Sequence, residues 1–208
     1  MLGRVLSGPE AHQSFQHQKG VLLAAELVSA GAKVTLVYGP GKEEPPKSAK
    51  VIRVDTAKAM FDAVKKELEK KFDVVILAAA VSDYIPEKTE KLKIKSEKRQ
   101  VIVKLKQAPK IIDQIKKWQK DIFLVGFKAE ANVSKENLLL KARKKLRESN
   151  ADLIVANDIG SEYRKKPENN NVLVVDSKNV IQTGWKKKSQ IAKIIRTEIE
   201  KRLKKTWR

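Results

Sequence analysis

A chain of 208 residues without cysteine excludes disulfide staples, thiolate nucleophiles and cysteine-ligated zinc, and its length suits one domain around a single buried core. Its only histidines, His12 and His17, cannot build a histidine-rich metal cluster by themselves, no run approaches the roughly 18 apolar residues of a membrane span, and MLGRVLSGPEAHQ lacks the apolar core of a secretory signal. The formal charge of +20 draws polyanions to the surface without choosing among them.

Much of that charge falls in mixed-sign segments such as KKELEKK and RTEIEKRLKK, which read as solvated helix faces. Only 5% of residues are aromatic and the lysines are not interleaved with stacking rings, so selective nucleic-acid binding is the weaker reading of the charge. A cytoplasmic protein with no membrane partner is expected.

Along the chain, short apolar runs alternate with amphipathic segments. That rhythm predicts an α/β fold, a Rossmann-like three-layer domain with a mainly parallel central sheet, over residues 1–208 as a single unit. The first helix is expected over 20–30 and must stop at Gly31, followed by a strand at 33–38 (KVTLVY). GPGKEEPPKSAK at 39–50 reads as a surface loop. A strand at 50–54 leads to a helix over 56–71, with Thr56 placed to cap free amides. The runs 73–79 (DVVILAA), 122–127 (IFLVGF) and 152–156 (DLIVA) are continuously apolar, as strands are when helices cover both faces of their sheet. Helices over 109–119 and 135–149 separate them.

Two regions break the rhythm and form a peripheral β extension. Residues 82–108 combine a charged loop with VIVKLK, a polar-apolar alternation suited to a half-exposed strand. Residues 172–184 read as a hairpin, turning near Ser177 and Lys178. A last amphipathic helix fills about 188–203.

In an open α/β sheet, ligands sit beyond the carboxyl ends of the strands. Three segments lie there: Ala78-Ala79-Ala80-Val81-Ser82-Asp83-Tyr84, Gly126-Phe127-Lys128-Ala129-Glu130, and Ala156-Asn157-Asp158. Small residues let a ligand approach the backbone, and Asp83 and Asn157 offer polar atoms where the sheet runs out. Each segment alone is equally compatible with an ordinary turn or cap. Lys91, Lys93 and Lys95 alternate in KLKIK, so an extended backbone points all three to one side, toward phosphates or simply toward solvent. Lys141 and Lys145 share a helix face.

AAAVSDYIPE, KIK, APKII, VGFKAE, ARKKL and DLIVAND, in that order and preceded by VTLVYGP and VDTAKAM, closely resemble phosphopantothenate-cysteine ligase (phosphopantothenoylcysteine synthetase), the ligase half of the bifunctional flavoprotein of coenzyme A biosynthesis. The resemblance runs from about Gly20 to Lys201. It implies joining of 4′-phosphopantothenate to cysteine through an acyl-nucleotide, with Mg²⁺ and CTP, or ATP in its place, and with no flavin and no metal held by protein side chains alone. It assigns nucleotide contact to Ala78, Ala79, Ala80 and Asp83, to Pro109, Lys110, Ile111 and Ile112, to Phe127 beside the base and to Lys145 at the phosphates. Lys93 is given to the phosphate and the acyl intermediate, and is the catalytic candidate. Asn157 falls in the family's Ala-Asn-Asp motif, and Asn170 and Asn171 in its paired-asparagine turn, as possible substrate or turn residues. A homodimer is implied, with 82–108 and 172–184 at its interface.

The amino terminus departs from the pattern. Family members begin with a strand, a glycine-rich turn, an asparagine and Ser-Ser-Gly-Lys-Met-Gly. Residues 1–19 are atypical: Gln13 stands about where the asparagine belongs, only Lys19-Gly20 survives of the glycine-rich segment, and the first strand is expected to be missing or rewritten. Ser149 occupies a position where a second phosphate lysine is often found, with Lys144 nearby to compensate. A nucleotide-binding paralogue without catalysis is therefore the alternative.

Overall fold

The computed structural model describes residues 4–8, 14–79, 82–88, 100 and 102–206. In chain order the elements are β1 (Arg4–Gly8), α1 (Ser14–Ser29), β2 (Lys33–Tyr38), β3 (Lys50–Arg53), α2 (Ala57–Leu68), β4 (Val74–Leu77), β5 (Tyr84–Pro86), β6 (Leu105–Gln107) and α3 (Ile112–Trp118). There follow β7 (Phe123–Glu130), α4 (Lys135–Ser149), β8 (Leu153–Asp158), α5 (Ser161–Lys165), β9 (Asn169–Asn170), β10 (Val172–Val175), β11 (Val180–Gln182), β12 (Lys186–Lys187) and α6 (Lys188–Thr206).

The main sheet runs β11-β10-β8-β7-β4-β1-β2-β3. The strands from β8 to β3 in that order pair in parallel, whereas β10 is antiparallel to β8 and β11 to β10. Chain connection reverses direction at β1, which leads on one side to β2 and β3 and on the other flanks β4, β7 and β8. Such a reversal opens a crevice at the carboxyl ends of the strands.

Helices cover both faces. Leu23 and Leu27 of α1 pack with Ile191, Ile195 and Ile199 of α6 against Val34, Leu36, Ile76 and Val125. On the other face, Met60 and Val64 of α2, Ile115 of α3 and Leu138, Ala142 and Leu146 of α4 pack against Val37, Val75, Leu124 and Ile154. The strand side chains alternate between the two clusters, which is why runs such as VVIL carry no polar face. This is the three-layer α/β arrangement expected from the sequence.

Boundaries follow local chemistry. Thr56 Oγ1 accepts the Ala59 N–H at 3.1 Å and Ser134 Oγ the Asn137 N–H at 3.2 Å, satisfying amides at the starts of α2 and α4. Gly31, at φ +84°, lets the chain leave α1 in a left-handed conformation that a Cβ disfavours. Asn150 ends α4 the same way, at φ 50°.

The first strand is present, written as RVLSG. It pairs with β2 from Arg4↔Lys33 and with β4 from Val5↔Val74, and those neighbours on both sides supply a register that two large apolar residues do not announce. The described residues of 82–108 lie outside the main sheet, where β5 and β6 pair only with each other. The 172–184 hairpin forms the antiparallel end of the main sheet, with Val172–Val175 wholly buried.

Candidate functional site

Beyond the carboxyl ends of β4, β7 and β8 lies a cleft of about 530 Å³. Ala79, Asp83, Lys110, Ile111, Ile112, Phe127, Lys145 and Asn157, far apart in the chain, all line it. Ala78 is buried at the end of β4, at 3% exposure, and does not reach it. Pro109 is exposed, immediately before the lining residue Lys110. Ala80 and Lys93, with Lys91, Lys95 and Gln13, lie outside the described residues.

The wall over β7 depends on Gly126. A Cβ there would meet Ile112 Cδ1 at 2.7 Å and Ile154 Cδ1 at 2.8 Å. Only glycine lets the start of α3 close onto the sheet next to Phe127 without displacing a side chain. Asp83 is positioned through its backbone, its carbonyl accepting the Ala108 N–H at 2.9 Å. That bond continues the β5–β6 ribbon and leaves the exposed Asp83 carboxylate at the cleft.

Among the described lining residues, six lysines (Lys19, Lys110, Lys128, Lys141, Lys144 and Lys145) face three carboxylates (Asp83, Glu130 and Glu148), so the cleft is cationic. Lys145 Nζ lies 3.3 Å from Asp113 Oδ1 on α3. Glu130 is gripped by Lys128 at 2.8 Å and Lys141 at 2.6 Å. Their hydrogen bonds, Lys128 foremost, hold its carboxyl below the usual range against the opposing effect of burial. Lys144 pairs loosely with Glu148 at 3.7 Å. Ser149 is buried and donates to its own helix at Lys145 O, 2.7 Å away, whereas Lys144 lines the cleft.

The asparagines split. Asn157 and Asn170, at 2% and 1% exposure, meet through Asn157 Nδ2 donating to Asn170 Oδ1 at 3.4 Å. The same oxygen accepts the Asn171 N–H at 3.0 Å. Asn171 itself lines a separate cavity of about 190 Å³ beside Tyr163 and Trp185.

Two lysines that the motifs did not single out as ligands complete the inner end. Lys19 Nζ lies 5.3 Å from the Tyr163 ring centroid and Lys188 Nζ 5.8 Å from the same centroid. Burial, and secondarily the Lys188 charge, pulls the Lys19 amine down to about 7. Burial also lowers Lys188, against the opposing pull of Glu168 and Glu43. A signal for both existed in helical spacing. Lys19 is followed at four-residue intervals by Leu23 and Leu27, and Lys188 by Ala192, so each lysine begins a buried helix face.

No group of three or more His, Cys, Asp or Glu that could hold a metal is found among the described residues. None of the described helices is long and apolar enough to cross a membrane.

Comparison with known proteins agrees with this architecture. The Coenzyme A biosynthesis bifunctional protein CoaBC of Thermococcus kodakarensis is 39% identical over 188 residues, covering 88% of this chain and 45% of its own length. The protein of the same name from Borreliella burgdorferi is 34% identical over 181 residues, covering 85% and 44% respectively. The chain thus spans less than half the length of these relatives. A crystal structure of the C-terminal domain of Coenzyme A biosynthesis bifunctional protein CoaBC superimposes with a TM-score of 0.78 at 28% identity, covering 97% of this chain and 96% of that one. The family described as DNA/pantothenate metabolism flavoprotein C-terminal domain matches residues 16–203. With nearly its whole length matched in sequence and fold, this chain belongs to the DNA/pantothenate metabolism flavoprotein C-terminal domain family.

Proposed function

We propose that residues 1–208 act as one phosphopantothenate-cysteine ligase unit, joining 4′-phosphopantothenate to cysteine with CTP, in preference to ATP, as the activating nucleotide. The observation that carries this reading is the convergence of Asp83, Phe127, Lys145 and Asn157 on one cationic cleft. The relatives' name as a coenzyme A biosynthesis protein supports the pathway, and resemblance to prokaryotic ligases favours CTP.

A carboxylate is a poor acyl donor because its leaving group would be an oxide. In the first step its oxygen attacks the α-phosphorus and pyrophosphate departs, giving an acyl-nucleotide. In the second, the cysteine nitrogen attacks the acyl carbon, the nucleoside monophosphate leaves with the oxygen, and the amine's proton is released. Both steps gather negative charge, which fixed cations in a partly desolvated cleft stabilise. Lys145 and Lys141 serve the phosphates, Phe127 flanks the base, and Lys93 serves the activated phosphate and acyl group. No side-chain nucleophile is required, in keeping with a chain that has no cysteine.

Mg²⁺ fits this donor set as a companion of the triphosphate, because the cleft carboxylates Asp83, Glu130 and Glu148 are few and Glu130 is already held by two lysines. Bound there, the cation would neutralise phosphate charge. Dependence on a nucleoside triphosphate places the reaction in the cytoplasm. A homodimer is supported by the β5–β6 ribbon, which stands off the main sheet with Tyr84 and Leu105 exposed, and by Ile102 and Val103, exposed just ahead of β6.

The test is pyrophosphate release with phosphopantothenate, cysteine, Mg²⁺ and either nucleotide. Release dependent on phosphopantothenate is expected; a folded protein that releases none with CTP or ATP contradicts the ligase reading. Gln13 in place of asparagine favours one alternative, a paralogue that binds nucleotide without turnover, and calorimetric binding without release would identify it.

A further inference from the structure

A second, smaller cavity of about 10 Å³ adjoins the cleft, sharing Lys19, Phe127 and Asn157 with it and adding Asn170 and Lys188. The rest of its lining is apolar, including Leu23, Ile191 and Ile195. Its volume admits about one water-sized group. It therefore accommodates a corner of an oxyanion and not a whole nucleotide.

Its polar lining is arranged for an anion. Lys19 has no carboxylate partner among the described residues, and two lysine side chains from opposite ends of the chain approach a single tyrosine ring. Like charges brought together in a partly desolvated pocket repel, so the arrangement favours either loss of a proton or arrival of a counter-charge. The Asn170 carbonyl oxygen is already occupied by the Asn157 amide and the Asn171 N–H. What Asn170 retains is its amide nitrogen, a donor.

We propose that Lys19 and Lys188, with the side chains of Asn157 and Asn170, form an oxyanion subsite at the inner end of the cleft. It binds one terminal phosphate or carboxylate of the ligand and takes up a proton as it does so. The proposal rests on the cleft being the anion-binding site of the ligase reading and gives a ligand role to Lys19, which survives from the family's glycine-rich segment but to which the motifs assign no contact. The proton goes to the Lys19 amine. The charged and titratable groups around it are Lys188 at the start of α6, Tyr163 on α5, and Glu168 and Glu43, which act on Lys188. With the amine drawn down to about 7, it is largely neutral in the empty pocket at about pH 8. An incoming anion raises its proton affinity again, so binding and protonation are linked.

The experiment is titration calorimetry at about pH 8 in two buffers of different ionisation enthalpy, with inorganic pyrophosphate in one arm and propionate in the other. The proteins are wild type, Lys19→Met, Lys19→Arg and Lys188→Met. Methionine suits the apolar face that continues through Leu23, so folding is preserved, and circular dichroism verifies it. Wild type is expected to take up a large fraction of one proton per anion. Lys19→Met should bind about tenfold or more weakly with no proton uptake, and Lys188→Met should also bind more weakly. Lys19→Arg should recover binding without the uptake, because arginine is charged throughout. Preference for pyrophosphate assigns the subsite to the nucleotide tail; preference for propionate assigns it to the acyl carboxylate. Binding that is buffer-independent and indifferent to Lys19→Met, or no binding of either anion, overturns the proposal. Proton-linked anion binding in a protein that releases no pyrophosphate from CTP or ATP would sink the ligase reading and leave the subsite standing.

Discussion

Lys145 reaches from α4 to Asp113 on α3 with 3.3 Å between Nζ and Oδ1, and the two side chains keep 21% and 39% of their exposure. A pair this open to solvent contributes at most about 1 kcal/mol, so Lys145 is held in place yet remains free to exchange Asp113 for a phosphate. Lys145→Met is expected to weaken CTP binding about 10- to 100-fold, the range for losing a charge-assisted hydrogen bond. Asp113→Asn should leave the affinity unchanged or tighter. Calorimetric titration of the two variants decides between a ligand role and a structural one: an equal loss in both would mean that the pair only ties the helices together.

Phe127 lies where the cleft meets the inner pocket. If its ring flanks the base, Phe127→Leu should weaken CTP by roughly 1–3 kcal/mol, the scale of base–aromatic stacking, while inorganic pyrophosphate binds as before. Equal losses for the two ligands would show that the substitution acts through the fold.

Gly126 and Ile112 are coupled by shape, since a Cβ at 126 would stand 2.7 Å from Ile112 Cδ1. Gly126→Ala is expected to cost about 1 kcal/mol of stability, the low end of overpacking, because both atoms it meets, Ile112 Cδ1 and Ile154 Cδ1, are side-chain tips that can move aside. Ile112→Ala in the same chain should recover part of that loss. A double-mutant cycle on chemical denaturation measures the coupling, and strict additivity would contradict it.

The Asp176–Arg202 pair anchors α6 to the end of the main sheet, with Arg202 Nε at 2.9 Å and Nη2 at 2.6 Å from Asp176 Oδ2. Burial opposes ionisation of Asp176, but the Asn179 amide, the Arg202 guanidinium and the Lys178 amide together draw it from 3.8 down to about 2. A carboxyl lowered in the folded state adds stability that is fully present above its unfolded value and is lost as pH falls through the folded one. The contribution, on the order of 2 kcal/mol, should therefore disappear between about pH 4 and pH 2. Asp176→Asn should flatten the stability curve across that window, as followed by urea denaturation at fixed pH steps.

The sequence makes the layers of this fold readable because each strand and helix carries its signal locally. Helix 135–149 is delimited by the Ser134 cap and Asn150, and Val74–Leu77 declares itself by being apolar on both faces. RVLSG does not, because its place depends on pairing with strands from far along the chain. In the cleft, Asp83, Phe127, Lys145 and Asn157 lie in motifs whose order survives. The inward turn of Lys19 and Lys188 was hidden for a different reason. In a chain with 45 Lys plus Arg, composition does not reveal which lysines turn inward, and only the helical register with Leu23 and Ala192 distinguishes these two.

A crystal structure grown with CTP and Mg²⁺ tests most directly whether this cleft holds the nucleotide. The base is expected against Phe127, with the triphosphate within hydrogen-bonding distance of Lys145. A nucleotide bound elsewhere on the protein, with Asp83, Phe127 and Lys145 untouched, would contradict it.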